Sequence, residues 1–216
     1  MKRYFFCLVL FQVILSLPLF ARATERDVSA DSLAALVDSL IIPQIKPGGP
    51  GCVVAVIRDG KTVFERGYGL ANLDWGIPNS GVSVFQIASV SKQFTAACVV
   101  LLAEEHKLSL DDDIRIWLPE VRDYGQRITI RNLLNHTSGI RDYESLMPVA
   151  GMRYDMPYKP CEIFDFIIRQ TALDFSPGEK YAYSNSGYIL LAEIVKRASG
   201  LSLGRFAGER IFQPLE

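Results

Sequence analysis

An α+β fold follows from two observations on this 216-residue chain. Early in the sequence, two apolar segments flank Asp59-Gly60, a dipeptide suited to the left-handed residues of a tight hairpin turn. From Ser89 onward, apolar residues recur instead at helical spacing in several separate stretches. Strands gathered early and helices gathered later are the mark of segregated α and β structure.

The elements follow in order. Residues 27–42 predict a first helix, with Leu33, Leu36, Val37 and Leu40 on one face and Pro43 ending it. After a turn at 47–51, residues 52–57 read as a buried strand and 62–68 as its return. Residues 71–84, with Gly76, Pro78 and Gly81, predict a loop. A helix then starts at Ser89, with Val90, Phe94, Ala97, Cys98, Leu101 and Leu102 as its apolar stripe. Asp111-Asp112-Asp113 reads as a helix cap with an acidic first turn, and alternatively as a cation site. Thr129 caps a short helix reaching Asn135, and Gly139 follows it. Residues 141–158 form an irregular stretch carrying Tyr143, Tyr154 and Tyr158, of a length that borders a substrate cleft or simply lies on the surface. Residues 162–172 predict a helix with Ile163, Phe166 and Ile167 inward. Pro177-Gly178 marks a loop, 188–198 a strongly apolar helix, and Gly200 its stop. There are no internal repeats.

The N-terminus has the layout of a secretory signal. Lys2 and Arg3 precede a mostly apolar run, and Ala21-Arg22-Ala23 is a cleavage site, which predicts removal of residues 1–23 and an exported, periplasmic or extracellular protein. The apolar run is interrupted by Gln12 and Pro18 and is short for a membrane span, so no stable span is expected after cleavage. The formal net charge is −1, and the predicted signal contains Lys2, Arg3 and Arg22 but no acidic residue. The remainder is therefore mildly acidic, with no nucleic-acid footprint. Cys52, Cys98 and Cys161 remain, an odd number that argues against a disulfide framework. With only His106 and His136 available, no spacing fits a zinc site, and no metal or organic cofactor is expected.

Two motifs carry chemistry. Ser89 and Lys92 stand three apart in Phe85-Gln86-Ile87-Ala88-Ser89-Val90-Ser91-Lys92-Gln93-Phe94, and residues at that spacing share a helix face. An amine so placed takes the proton of the hydroxyl and makes it a nucleophile. At a helix start, free N–H groups also favour negative charge on a bound oxygen. The bland alternative is a serine cap and a solvated lysine. The second motif is Tyr183-Ser184-Asn185, on the loop before the apolar helix. There a phenol can shuttle protons and an amide can hold a substrate carbonyl. Alternatively, Asn185 or Ser186 caps the helix and Tyr183 packs. A Ser-His-Asp arrangement through His136 and Asp142 is a further alternative, without a G-x-S-x-G elbow to accompany it.

With these motifs in this order, the chain resembles the serine β-lactamase-related hydrolases of the class C type. These include class C β-lactamases, DD-carboxypeptidases and other penicillin-binding proteins, D-amino-acid peptidases and some esterases. Ser89-x-x-Lys92 matches their S-x-x-K motif and Tyr183-x-Asn185 their Y-x-N motif. Asn132-Leu133-Leu134-Asn135-His136-Thr137-Ser138-Gly139 and the ending Ile211-Phe212-Gln213-Pro214-Leu215 are also typical of the family. The resemblance runs from about Gly51 to the last residue. It implies a β-lactamase/transpeptidase-like fold, a helical region plus an antiparallel sheet. It also implies Ser89 as acylated nucleophile, Lys92 and Tyr183 sharing acid and base roles, and Asn185 binding the substrate amide. The expected partner is a small molecule or peptide with an acyl group: a β-lactam, a D-amino-acid peptide or an ester.

The resemblance further implies a third motif, K-T-G or H-x-G, on a strand that helps form the oxyanion hole. None follows Asn185. Residues 24–216 are therefore expected to be the N-terminal part of the domain, with the C-terminal sheet strands missing and turnover by this chain weak or absent, since losing one oxyanion donor lowers the rate by roughly 10²–10³. The other readings are a non-catalytic or single-turnover binding module for penicillin or cell-wall peptide, and an inactive truncated fragment.

Overall fold

The computed structural model describes residues 29–215; the expected signal at 1–23 and the beginning of the predicted first helix lie outside the described residues. The chain divides after Phe85 into two compact units.

In the first unit, helix α1 spans Ala30–Ile41, and Ser29 caps it by accepting from the Ser32 N–H at 3.2 Å. Pro43 sits in the 3₁₀ turn Ile42–Gln44 that follows. Strands β1 (Cys52–Arg58) and β2 (Lys61–Tyr68) pair antiparallel, with Arg58 opposite Lys61. Asp59 and Gly60 have φ of +51° and +73°, the left-handed pair a two-residue hairpin turn demands. The register slips between Val56 and Ile57, which face Phe64 and Thr62, so Val63 is bulged. Asp38 of α1 accepts from the Tyr68 hydroxyl at 2.7 Å and pairs with Arg66, tying helix to hairpin. Three expectations need correcting. Strand β1 is not buried: its residues are half-buried or exposed, Ile57 among the exposed. Leu36 and Leu40 are more than half exposed while Val37 is buried, so the helix buries a narrower stripe than its sequence offers. The predicted loop contains a second small hairpin, β3 (Leu70–Asn72) with β4 (Ile77–Pro78).

The second unit is helical. A 3₁₀ turn at Ala88–Ser91 leads into α2 (Lys92–Glu104). The short helices α3 (Ile114–Trp117), α4 (Ile130–Leu134) and α5 (Tyr143–Leu146) follow. After them come α6 (Pro160–Ile168), α7 (Asn185–Ser199) and α8 (Leu203–Ala207), with α8 continuing into a π turn at Gly208–Phe212. Helix α7 is the central element and packs on α2, α4, α6 and α8. Its Leu190, Leu191, Ile194 and Val195 are fully buried with Cys98, Val99 and Leu102 of α2. Each such aliphatic side chain contributes about 1.5–3 kcal/mol by leaving water. Gly200 closes α7 at φ +77°, donating to the Lys196 carbonyl.

The stripe of α2 is rotated from its predicted position. Val90 is exposed, and the buried face is Thr95, Cys98, Val99 and Leu102. The cause is the 3₁₀ turn, whose three residues per turn put Val90 out of phase with the α-helix after it. Helix α6 starts earlier and ends earlier than its periodicity suggests, with Pro160 in its first turn. The three aspartates are all committed to structure. Asp111 pairs with Arg131, Asp112 accepts from the Ser109 N–H, and Asp113 caps α3 by accepting from the Arg115 N–H. Among the described residues no acidic, histidine or cysteine cluster can hold a metal ion, and no helix is long and apolar enough to cross a membrane.

Candidate active site

Four side chains converge in the second unit. Lys92, the first residue of α2, reaches back one turn and donates to the Ser89 hydroxyl at 3.1 Å. Ala88, immediately before Ser89, has φ +45°, an uncommon conformation for a residue with a Cβ that turns the chain sharply into the 3₁₀ turn. The Ser89 Oγ lies 2.8 Å from the Tyr183 hydroxyl, a hydrogen bond in which either oxygen can be the donor. Lys92 Nζ also donates to Asn185 Oδ1 at 2.6 Å and stands 4.9 Å from the centroid of the Tyr183 ring. The predicted quartet is thus one connected network, with Ser89 and Tyr183 open to solvent and Lys92 half-buried behind them.

The neighbouring Lys92 amine, and after it the Ser89 hydrogen bond, hold the Tyr183 phenol below its ordinary value. A cation next to a phenol favours phenolate, the form able to take a proton from a serine hydroxyl. Ser89 is therefore flanked by two groups that can accept its proton, an amine and a phenol, and is itself exposed.

What holds Tyr183 and Asn185 is not local. Asn185 is the first residue of α7, not a loop residue or its cap, and its N–H donates to the Asp142 carboxylate at 2.5 Å. A side chain from another segment caps the helix, which leaves the Asn185 amide oxygen to accept from Lys92. Ser186 is not the cap either; its fully buried hydroxyl donates to the Arg141 carbonyl at 2.7 Å and accepts from the Tyr143 N–H at 2.8 Å. The 132–139 segment forms the other brace. Thr129 and Asn132 make a reciprocal capping box, and Asn132 also donates to the Thr137 hydroxyl at 3.1 Å. The Thr137 carbonyl then accepts from Gly178 and the Gly139 carbonyl from Asp174, each at 2.8 Å. Gly139 has φ +75°, and a Cβ there would meet the Phe175 carbonyl oxygen at 2.1 Å, so only glycine lets these segments touch.

The Ser-His-Asp alternative does not form. His136 Nδ1 accepts from the Ser184 N–H at 3.1 Å, and Asp142 accepts from the Asn185 N–H, so neither is aimed at the other or at Ser89. Asp142 and His136 instead brace the segment that carries Tyr183 and Asn185, a placement their sequence positions did not reveal. His136 belongs to a family-like segment, but that it underlies Tyr183 emerges only in three dimensions. Beside Tyr183, a hollow of about 400 Å³ is lined by Ile140, Asp142, Leu146, Phe175 and Ala182 among others.

The chain is similar to known proteins. The Beta-lactamase family profile matches residues 31–216. A D-aminopeptidase of Brucella anthropi is 35% identical over 166 residues, 77% of this chain and 31% of that protein. Penicillin-binding protein 4* of Bacillus subtilis strain 168 is 36% identical over 165 residues, 76% of this chain and 36% of that protein. Among solved structures, the octameric penicillin-binding protein homologue from Pyrococcus abyssi superposes with a TM-score of 0.69 at 29% identity, covering 86% of this chain and 42% of that one. The chain spans about a third of the length of the curated relatives it matches.

Proposed function

The chain belongs to the Beta-lactamase family, and from that premise we propose that it carries the nucleophile and proton-transfer groups of a serine hydrolase acting on amides of D-amino acids. The observation that carries this reading is the single hydrogen-bonded network of Ser89, Lys92, Tyr183 and Asn185. Ser89 Oγ attacks the acyl carbon while its proton passes to Tyr183 or Lys92. The carbon–nitrogen bond then breaks, and the leaving amine takes up that proton. Water, deprotonated by the same pair, cleaves the resulting serine ester and restores the Ser89 hydroxyl. Asn185, fixed by Asp142 and Lys92, orients the substrate amide.

The D-amino-acid preference draws support from the relative named a D-aminopeptidase, and β-lactams and simple esters are the competing acyl donors. The N-terminal sequence supports export, with residues 1–23 as signal and 24–216 as part of the catalytic domain.

The test is covalent capture. Incubation with a fluorophosphonate, and separately with a fluorescent penicillin, is expected to label one peptide at Ser89. The label is expected to vanish in Ser89→Ala. A label on another residue, or one that persists in Ser89→Ala, overturns the assignment.

A further inference from the structure

His136 grips the segment around Tyr183 from both sides. Its carbonyl accepts from the Ala182 N–H at 2.9 Å, and its Nδ1 accepts from the Ser184 N–H at 3.1 Å. The ring itself lies against the Tyr183 ring, with centroids 4.5 Å apart and planes inclined by 34°. Tyr188 stacks against it at 5.2 Å and Tyr181 meets it edge-on at 5.7 Å. The backbone of His136 is left-handed, φ +56°, which is what lets carbonyl and ring reach the same strand of chain.

A neutral imidazole has one lone pair outside the ring's π system, and here the Ser184 N–H occupies it. The ring must therefore carry its proton on Nε2. A second proton has to go on Nδ1, where it displaces the Ser184 N–H. Ser184 is buried and its hydroxyl already lacks a partner, so that N–H would become a second unpaired buried group.

We propose that His136 is a positioning residue: its neutral ring holds Tyr183 and Asn185 within reach of Ser89, and protonation of the ring releases them. The site then closes down as pH falls through the imidazole titration. The charged and titratable groups around the ring are Lys92 from α2, Tyr181 and Tyr183 from the loop, Tyr188 from α7 and Asp142 ahead of α5, with Glu144 acting on Tyr183 from farther out. Burial, and after it the Lys92 charge, hold the imidazole below its ordinary value, while Asp142 works against them. The neutral state therefore persists to a lower pH than for a free histidine. Its contribution to folding is present above the ordinary imidazole value and is lost as pH falls through the lower folded one.

The kinetic consequence rests on Ser89 being the nucleophile; the spectroscopic one does not. Long-range proton–nitrogen correlation on the purified protein, titrated from about pH 8 to about pH 5, resolves only two imidazoles, His106 and His136. His136 is expected as the Nε2–H tautomer, with a midpoint below the ordinary imidazole value. The Ser184 and Asn185 amides and the Tyr183 ring are expected to move with that midpoint. His136→Asn supplies an oxygen acceptor and a residue at ease in the left-handed region, and in it those signals lose the midpoint. In the kinetic arm, fluorophosphonate labelling of the wild type is expected to fall about tenfold more steeply per pH unit below that midpoint than in His136→Asn. An Nδ1–H tautomer, or Tyr183 and Ser184 signals flat across the imidazole titration, overturns the proposal. Failure of Ser89 to label overturns the nucleophile assignment instead, and the resonance titration still decides the role of His136.

Discussion

The two arms of the site are built on different principles. The serine arm is assembled within one turn: Ser89 and Lys92 are three residues apart, and the bend at Ala88 sets their direction. The tyrosine arm is assembled at a distance: the partners of Asn185 and Ser184 lie 43 and 48 positions away, at Asp142 and His136. The Ser89–Lys92 contact therefore rests on local geometry, whereas the placement of the Tyr183 phenol and the Asn185 amide depends on the packing of α4, α5 and α7.

Substitutions can break or sharpen that contrast. The largest effect belongs to Tyr183→Phe, which keeps the ring stack and removes only the hydroxyl. Phosphonylation of Ser89 is expected to slow by about 10²–10⁴ with no change in folding, measured as the rate of fluorophosphonate labelling. An unchanged rate would leave Lys92 as the sole base. Next is Gly139→Ala, which forces a Cβ onto the Phe175 carbonyl in a left-handed backbone. A loss of about 3 kcal/mol or more is expected from the denaturant midpoint. Smallest is Asp142→Ala, which removes a helix cap worth about 1 kcal/mol. The Asn185 amide resonance is expected to shift while the Lys92 and Ser89 signals stay put, and Asp142→Asn, which keeps an acceptor, restores part of the loss. Equal disturbance of both arms by Asp142→Ala would show that they are not independent.

The same division explains what could be read in advance. The S-x-x-K pair and the Asp59-Gly60 hairpin were legible because each is decided by residues close together in sequence. So were the Thr129 cap and the Gly200 stop. The start of α7 was not, because its cap is supplied by Asp142, and a tertiary cap leaves no local signature. The β3–β4 hairpin escaped because two- and three-residue strands, one ending in proline, carry too little periodicity to distinguish from a loop. His136 stood out as part of a motif, but its work of bracing Tyr183 depends on a left-handed backbone and a fold-back that no spacing encodes.

The hydrogen bonds around Ser89 have a directional consequence. Ser89 has a single proton and two neighbours, Lys92 and Tyr183, with Lys92 also donating to Asn185. When the amine is charged and the phenol ionised, the donors point from lysine to serine to tyrosine. When both are neutral, the chain reverses and points from tyrosine through serine to lysine, and the lysine keeps a hydrogen for Asn185 in either case. The serine oxygen is thus the midpoint of a reversible relay. A proton gained at one end and lost at the other reverses every donor in the line without moving a heavy atom.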